Sequence, residues 1–294
     1  MNNSQKIQVV THTDLDGVVS YLVLCWLYGK KLDVVGTTPM KLEQDFDRLV
    51  ASGKTWDKLY FLDLDVSKIG EKIDQKSTVV LDHHKTNIYP FKNAIVRIYN
   101  ETSCAKLIYD TFFKETGKKI SNDQKTLIAL ADDWDSNTKA TPLSESLNIV
   151  YHSMSNKFNS FVDDYYNGFG PFDKFKTNTI QLYKKHCSEY IKQANPFFGN
   201  IEFNGIKDVR VGAVFCDKFV QECCDFLFTK YSVDVAIAVM VEQKRIAVRR
   251  SNTNDKIDVS KFVQRIASGG GHESAAGGNL TDEFIEFTKL LRQS

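Results

Sequence analysis

Nowhere does the 294-residue sequence hold the ~18–20 consecutive apolar residues that a membrane-spanning helix needs. Its longest apolar stretches, Val18–Leu27 and Val233–Val241, suit a core helix and a core strand. Charge of one sign is also missing. A net charge of +1 argues against broad binding to long duplex nucleic acid, which shows as a strongly basic surface. The polar segment Met1–Gln8 has no apolar signal-peptide region and leads straight into a strand-like run, so no secretory signal is expected. The six cysteines form no CxxC pair and no zinc-ribbon spacing, and the adjacent Cys223 and Cys224 are poorly placed to bond each other. Reduced, mostly buried thiols in a cytoplasmic protein are the expectation. Internal repeats and low-complexity segments are absent, and composition leaves the oligomeric state open.

What is present is length enough for two domains of roughly 100–200 residues. The first 140 residues alternate short β-like runs (Ile7–Thr11, Leu32–Gly36, Lys58–Leu64, Thr78–Leu81) with helical ones (Gly17–Tyr28, Asp45–Ser52, Ser103–Gly117, Asp123–Ala131). Such alternation predicts an α/β domain, a parallel sheet with helices on both faces. From Ser144 to Asn200 the pattern is mostly helical. The segment Lys192–Gly205, with one Pro, two Gly and three Asn, breaks that pattern. It is read as a linker between a catalytic domain (1–191) and a smaller α/β domain (206–294). The second domain shows strands at Val209–Phe215, Val233–Val241 and Arg245–Arg249, a helix at Phe219–Tyr231 and a glycine-rich turn at Ser268–Gly278.

Polar residues gather where the first domain's strands stop. His12, Asp14 and Asp16 follow one strand, Asp63 and Asp65 end another, and Asp82, His83 and His84 follow a third. A hydrophobic helix then ends in Asp132, Asp133, Trp134 and Asp135. Open α/β sheets bind ligands at the carboxyl ends of their strands, so these segments are expected to converge. An Asp after a strand is often only a helix N-cap, and each group alone is weak evidence. Together they would crowd carboxylates that repel unless cations lie between them. Mixed carboxylate and imidazole donors suit manganese, iron or zinc better than calcium. Two ions ~3.5–4 Å apart would clamp the attacking and leaving oxygens of a phosphoryl displacement.

The ordered set His12-Thr-Asp14-Leu-Asp16-Gly17, Asp63, Asp82-His83-His84 and Ala131-Asp132-Asp133 resembles the four motifs of the DHH phosphoesterase family. Ser268-Gly-Gly-Gly-His272 with Arg250-Ser251 resembles the GGGH motif and Arg-Ser pair of that family's C-terminal substrate domain. The resemblance spans nearly the whole chain. It implies that His12 and Asp14 hold one metal, that Asp16, His83 and a fourth-motif Asp hold a second, and that Asp63 bridges them. By it, Asp82 orients its neighbours and His84 sits by the substrate phosphate, so that Asp63, Asp82 and His84 form the catalytic set. Among Asp132, Asp133 and Asp135 the fourth ligand is open, with Asp133 favoured. The single residue between His12 and Asp14, fewer than in many members, is similar to the branch that contains some nano-RNase-type oligoribonucleases.

In the second domain, consecutive glycines let backbone N–H groups approach a phosphate. Gly270, Gly271 and His272, with Arg250 and Ser251, are the expected substrate-binding residues. Strand alternation puts Arg249 and Arg250 on opposite faces, and the resemblance favours Arg250. The reading is a two-metal, manganese-type phosphodiesterase that closes on a short oligonucleotide or dinucleotide. The alternatives are a cyclic-dinucleotide or 3′,5′-bisphosphonucleoside phosphohydrolase and, outside enzymes, a nucleotide sensor.

Overall fold

The computed structural model describes residues 5–99, 102–136, 138–203, 205–251, 253–271 and 273–285. The chain divides into two compact units, Met1–Gln181 and Leu182–Ser294.

Five strands build the first unit: β1 (Ile7–His12), β2 (Asp33–Thr37), β3 (Lys58–Leu62), β4 (Thr78–Asp82) and β5 (Ile95–Ile98). All pairings are parallel, in the order β2-β1-β3-β4-β5. Between the strands run α1 (Leu15–Tyr28), α2 (Leu42–Ala51) and a 3₁₀ turn, Ser67–Ile69, that leads into α3 (Gly70–Ile73). After β5, α4 (Cys104–Ile108) continues through a π-helical turn, Tyr109–Phe113, into α5 (Lys114–Thr116). Then follow α6 (Asn122–Asp135), α7 (Pro142–Ser153), α8 (Lys157–Tyr165) and α9 (Lys174–Lys192).

Side chains alternate along each strand, which sorts the core into two layers. Val9, Tyr60, Leu62, Val79 and Leu81 pack with α1, α4 and α6. Val10, Leu59, Phe61 and Val80 pack with Phe46 and Leu49 of α2 and Ile73 of α3. Helices thus cover both faces, as the alternation implies. Every residue of α1 from Leu15 to Leu27 is buried, which explains an apolar run with no polar face. The helix ends at Gly29 in the left-handed conformation, φ 70°. The order of strands reverses between β1 and β3, and such a switch point opens a crevice outside the carboxyl ends.

The second unit holds β6 (Phe197–Phe203), β7 (Ile206–Phe215), α10 (Val220–Tyr231), β8 (Val235–Met240), β9 (Arg245–Arg250), α11 (Val259–Ile266), β10 (Ser268–Gly271) and β11 (Ala275–Asn279). Its sheet runs β10-β11-β9-β8-β7-β6, parallel only between β7 and β8. Apolar layers lie on both faces, one including Val259, Phe262 and Val263 of α11 and the other Cys223, Cys224 and Leu227 of α10.

Two expectations are corrected here. The segment Lys192–Gly205 is not an open linker, because it carries β6, paired antiparallel with β7. Its turn-forming Pro196 and Gly199 are tolerated because an edge strand has one unpaired side. The glycine-rich Ser268–Gly278 is not a turn alone but carries two paired strands, β10 against β11. Without side chains, glycines give no periodicity by which a strand can be recognised.

Candidate metal centre

The loop after β1 is built by its own first helix turn. Asp14 caps α1, its Oδ1 accepting from the Gly17 amide at 2.9 Å. Its Oδ2 lies 2.8 Å from His12 Nδ1. The cap and the candidate ligand are one residue using two oxygens. Gly17 has no alternative, since a Cβ there would stand 2.2 Å from the His12 carbonyl oxygen. Thr11 Oγ1 donates to the Gly17 carbonyl at 2.8 Å and closes the turn.

Asp16 lies two residues on, within the first turn of α1, and is buried. Both of its oxygens accept backbone amides at the start of α4, from Cys104 at 2.7 Å and Ala105 at 3.0 Å. A helix N-terminus favours an anion, and charge-assisted bonds of this kind contribute roughly 1.5–3 kcal/mol each. The same helix start is fastened by Asp132, whose Oδ1 accepts from the Ser103 amide at 2.8 Å.

Asp63, just past β3, is 2% exposed and adopts φ 55°, a left-handed conformation that Asp tolerates better than most residues. Neither of its carboxylate oxygens has a hydrogen-bond partner among the described residues. His83 Nε2 lies 3.2 Å from Oδ1 and His12 Nδ1 3.6 Å from Oδ2. Asp82 is the opposite case, fully buried and fully occupied. Its Oδ1 accepts from the His83 amide at 2.8 Å and from His84 Nδ1 at 2.6 Å. Its Oδ2 accepts from Asn87 Nδ2 at 3.0 Å.

The fourth-motif expectation is corrected. Asp133 turns to the α6–α7 connection, where its carboxylate accepts from Ala140 N at 2.7 Å, Thr141 N at 3.3 Å and Ser144 Oγ at 2.6 Å. Asp135 instead reaches the centre, its Oδ2 3.4 Å from His83 Nε2. The signal was available: Leu127, Ala131 and Asp135 recur every four residues, and the first two form the buried stripe of α6. Asp65 bonds the Ser67 amide at 2.9 Å and is a turn residue.

Three interlocking groups result: His12, Asp14 and Asp63; Asp16, His83 and Asp135; and Asp63, Asp82, His83 and His84. Within each, one donor atom per residue lies within 4.8 Å of the others. Two disjoint triads therefore meet where Asp63 faces His83. Two residues that the sequence did not single out support them. Asn87 ties Asp82 to the Leu64 carbonyl, and Tyr151 donates to the Thr13 carbonyl at 2.7 Å.

The electrostatics of the bare site are unfavourable. Burial, then Asp14 and Asp16, raise the Asp63 carboxyl well above its usual range. Burial, then Asp16, does the same to Asp135. Burial opposes charge on His12, yet Asp14 and Asp63 outweigh it and push that imidazole up to about 11. His83 and His84 are raised in the same balance against burial, chiefly by Asp135 and Asp82 respectively. The donor set of carboxylates and imidazoles, with a buried carboxylate bare on both oxygens, fits divalent cations.

In the second unit, Arg250 Nη1 donates to the Asn254 carbonyl at 2.9 Å and Ser251 Oγ lies 2.8 Å from Thr253 Oγ1. Both Arg249 and Arg250 have a buried Nε with no partner among the described residues. Gly270 is a strand residue opposite Gly277, and Gly271, φ 148°, is opposite Ala276, where a Cβ would meet the Ala275 carbonyl oxygen at 2.7 Å. His272 lies outside the described residues. No described helix is long and apolar enough to cross a membrane.

Comparison with known proteins gives concordant matches. The DHH family, N-terminal domain, matches residues 6–131, and the DHHA1 domain matches residues 216–294. The oligoribonuclease NrnB of Bacillus subtilis is 24% identical over 303 residues, covering 94% of this chain and 73% of NrnB. Among solved structures, a pGpG-specific phosphodiesterase, PggH from Vibrio, superposes with a TM-score of 0.58 at 14% identity, covering 97% of both chains. The exonuclease RecJ bound to manganese gives 0.55 at 12% identity, covering 97% of this chain and 88% of RecJ. At such identities the structural likeness speaks to the fold.

Proposed function

We propose that this chain, in which the DHH family N-terminal domain matches residues 6–131 and the DHHA1 domain residues 216–294, hydrolyses short oligonucleotides or dinucleotides to mononucleotides, using two divalent cations, manganese in the first instance. The observation that carries this reading is Asp63, buried at the switch point where its own ligand triad meets the other, with neither oxygen hydrogen-bonded among the described residues. A buried carboxylate left bare costs several kcal/mol, and a bridging role between ions would remove that cost. The likeness to NrnB supports the substrate class.

His12 and Asp14 would hold one ion, Asp16, His83 and Asp135 the other, and Asp63 both. When bound, such ions supply Lewis acidity at a phosphoryl oxygen and lower the pKa of water. The chain's own work is positional and protonic. Asp82 fixes the rings of His83 and His84 by its two bonds. His84, whose pKa Asp82 raises against the effect of burial, would donate to a non-bridging oxygen of the scissile phosphate. Arg250, Ser251, Gly270, Gly271 and His272 of the second unit are assigned to the rest of the nucleotide. A cytoplasmic setting, with no long duplex partner, belongs to the same proposal.

The test is a panel with Mn²⁺: a linear dinucleotide, a cyclic dinucleotide and a 3′,5′-bisphosphonucleoside. Mononucleotide release from the linear substrate at the highest kcat/KM is the expected result. Preference for either of the others reassigns the substrate, and binding without turnover of any makes the protein a sensor.

A further inference from the structure

The amino ends of the first sheet carry a second concentration of charge. Ile7 opens β1, Asp33 opens β2 and Lys58 opens β3, and the segments leading into those strands border a cavity of about 580 Å³. Lys6, Lys30, Lys31, Lys54, Asp33 and Trp56 are among the residues that line it. The metal centre lies at the other ends of the same strands, around His12 and Asp63. Helix α1 spans the gap, with Asp16 in its first turn and Lys30 just past its end. Its 14 residues, at ~1.5 Å each, put roughly 20 Å between the two places.

The lining is cationic. Four ammonium groups meet one carboxylate, Asp33, whose Oδ2 lies 3.7 Å from Lys54 Nζ. Lys31 is paired with Asp163 at 2.6 Å, and Asp57 accepts the Lys6 amide at 2.8 Å. Lys6 Nζ has only a neutral partner among the described residues, the Thr55 hydroxyl at 3.4 Å, and Lys30 Nζ reaches the Gln5 carbonyl at 3.3 Å. Like charges gathered around a concave surface raise the local concentration of anions. Trp56 supplies a different wall, half-buried against the layer that includes Phe46 and Leu49 of α2. An ammonium binds phosphate as a point charge, and an aromatic ring accepts the face of any nucleobase. The volume falls in the ~300–1,000 Å³ range of small-molecule sites, and a bare phosphate would leave most of it unfilled.

We propose that this cavity is a second ligand site, which takes a phosphorylated nucleoside with its phosphate on Lys6, Lys30 and Lys54 and its base against Trp56. A phosphate monoester carries ~1.5–2 negative charges at pH 7 and competes with Asp33 for Lys54. At roughly 20 Å from the metal centre, the bound molecule is an effector and not a substrate. The inference goes beyond the reaction proposed above and does not depend on it.

The experiment is photo-crosslinking of the full chain, with Mn²⁺ bound, by 8-azido-AMP, followed by mass spectrometry of its peptides. The expected adduct lies on the peptide that contains Trp56. Excess AMP should suppress it, and adenosine, ribose 5-phosphate and inorganic phosphate should do so roughly tenfold less effectively, the scale of one charge-assisted bond or one stacked base. Lys6→Glu combined with Lys54→Glu, both at exposed positions, should reduce that labelling about tenfold or more. The melting temperature and dinucleotide cleavage of the double variant should stay close to those of the wild type. The wild-type adduct and its competition pattern give an independent reading if the double variant fails to fold. No adduct, an adduct confined to the metal centre or the second unit, equal suppression by adenosine or inorganic phosphate, or labelling indifferent to the charge reversal overturns the inference. Failure of the wild type to cleave any nucleotide overturns the functional reading alone and leaves this site standing.

Discussion

The carboxyl edge of the first sheet and the glycine hairpin of the second hold their functional groups in opposite ways. At the first, charged side chains are held tightly: Asp14 by a helix cap, Asp16 by two amides of α4, and Asp82 by three donors. Asp63, by contrast, is buried with neither oxygen hydrogen-bonded among the described residues. At the second, side chains are mostly absent, and Arg249 and Arg250 of β9 each retain a buried Nε with no partner among the described residues. A site that must gather like charges has to be rigid before its cations arrive. A site that holds a passing ligand can leave its donors waiting. If that contrast is right, damage to the first should appear in kcat and metal content, and damage to the second in KM.

The largest effect is expected from Asp135→Asn, which should lower kcat/KM by about 10²–10³-fold and weaken metal binding. Asp133→Asn should leave activity within about twofold and lower stability by about 1 kcal/mol, since the α6–α7 connection loses charge-assisted bonds. Kinetics and thermal melts of the two variants together check the assignment, and the reverse pattern would restore Asp133 as the ligand. Next comes Asp82→Asn, expected to weaken metal affinity about 10–100-fold, as loss of a ligand's orienting partner does; metal titration against activity measures it. Arg250→Ala should raise KM roughly tenfold with kcat little changed, consistent with one lost charge-assisted bond. A fall in kcat alone would break the contrast between the sites.

The smallest effect is protonic. In the metal-free protein His12 is raised to about 11, so at pH 7 it is an imidazolium, whereas a metal ligand must be neutral. Metal binding should therefore release protons, and affinity should increase as pH rises through neutrality. Calorimetry in two buffers of different ionisation enthalpy measures the release. Identical heats in both would contradict it.

Much of the first site was legible because several of its donors follow an apolar run that stops at a polar residue. His12, Asp63 and Asp82 read out sheet topology directly. Asp135 was passed over for Asp133 because the motif outweighed the four-residue spacing from Ala131, which places a side chain on the buried stripe of α6. Asn87 acts through bonds to Asp82 and Leu64, and Tyr151 through a bond to Thr13, contacts that no local pattern encodes. In the second unit, β6 was hidden by Pro196, Gly199 and Asn200, and β10 by its glycines, because strand periodicity needs side chains to show it.

The central claim is that Asp63 joins two cations. Manganese stoichiometry, measured by equilibrium dialysis and elemental analysis of the wild-type protein and of Asp63→Asn, tests it most directly. The account predicts two ions per wild-type chain, with at least one lost in the variant while the melting transition stays cooperative. A single ion in the wild type, or two retained without the Asp63 carboxylate, would contradict it.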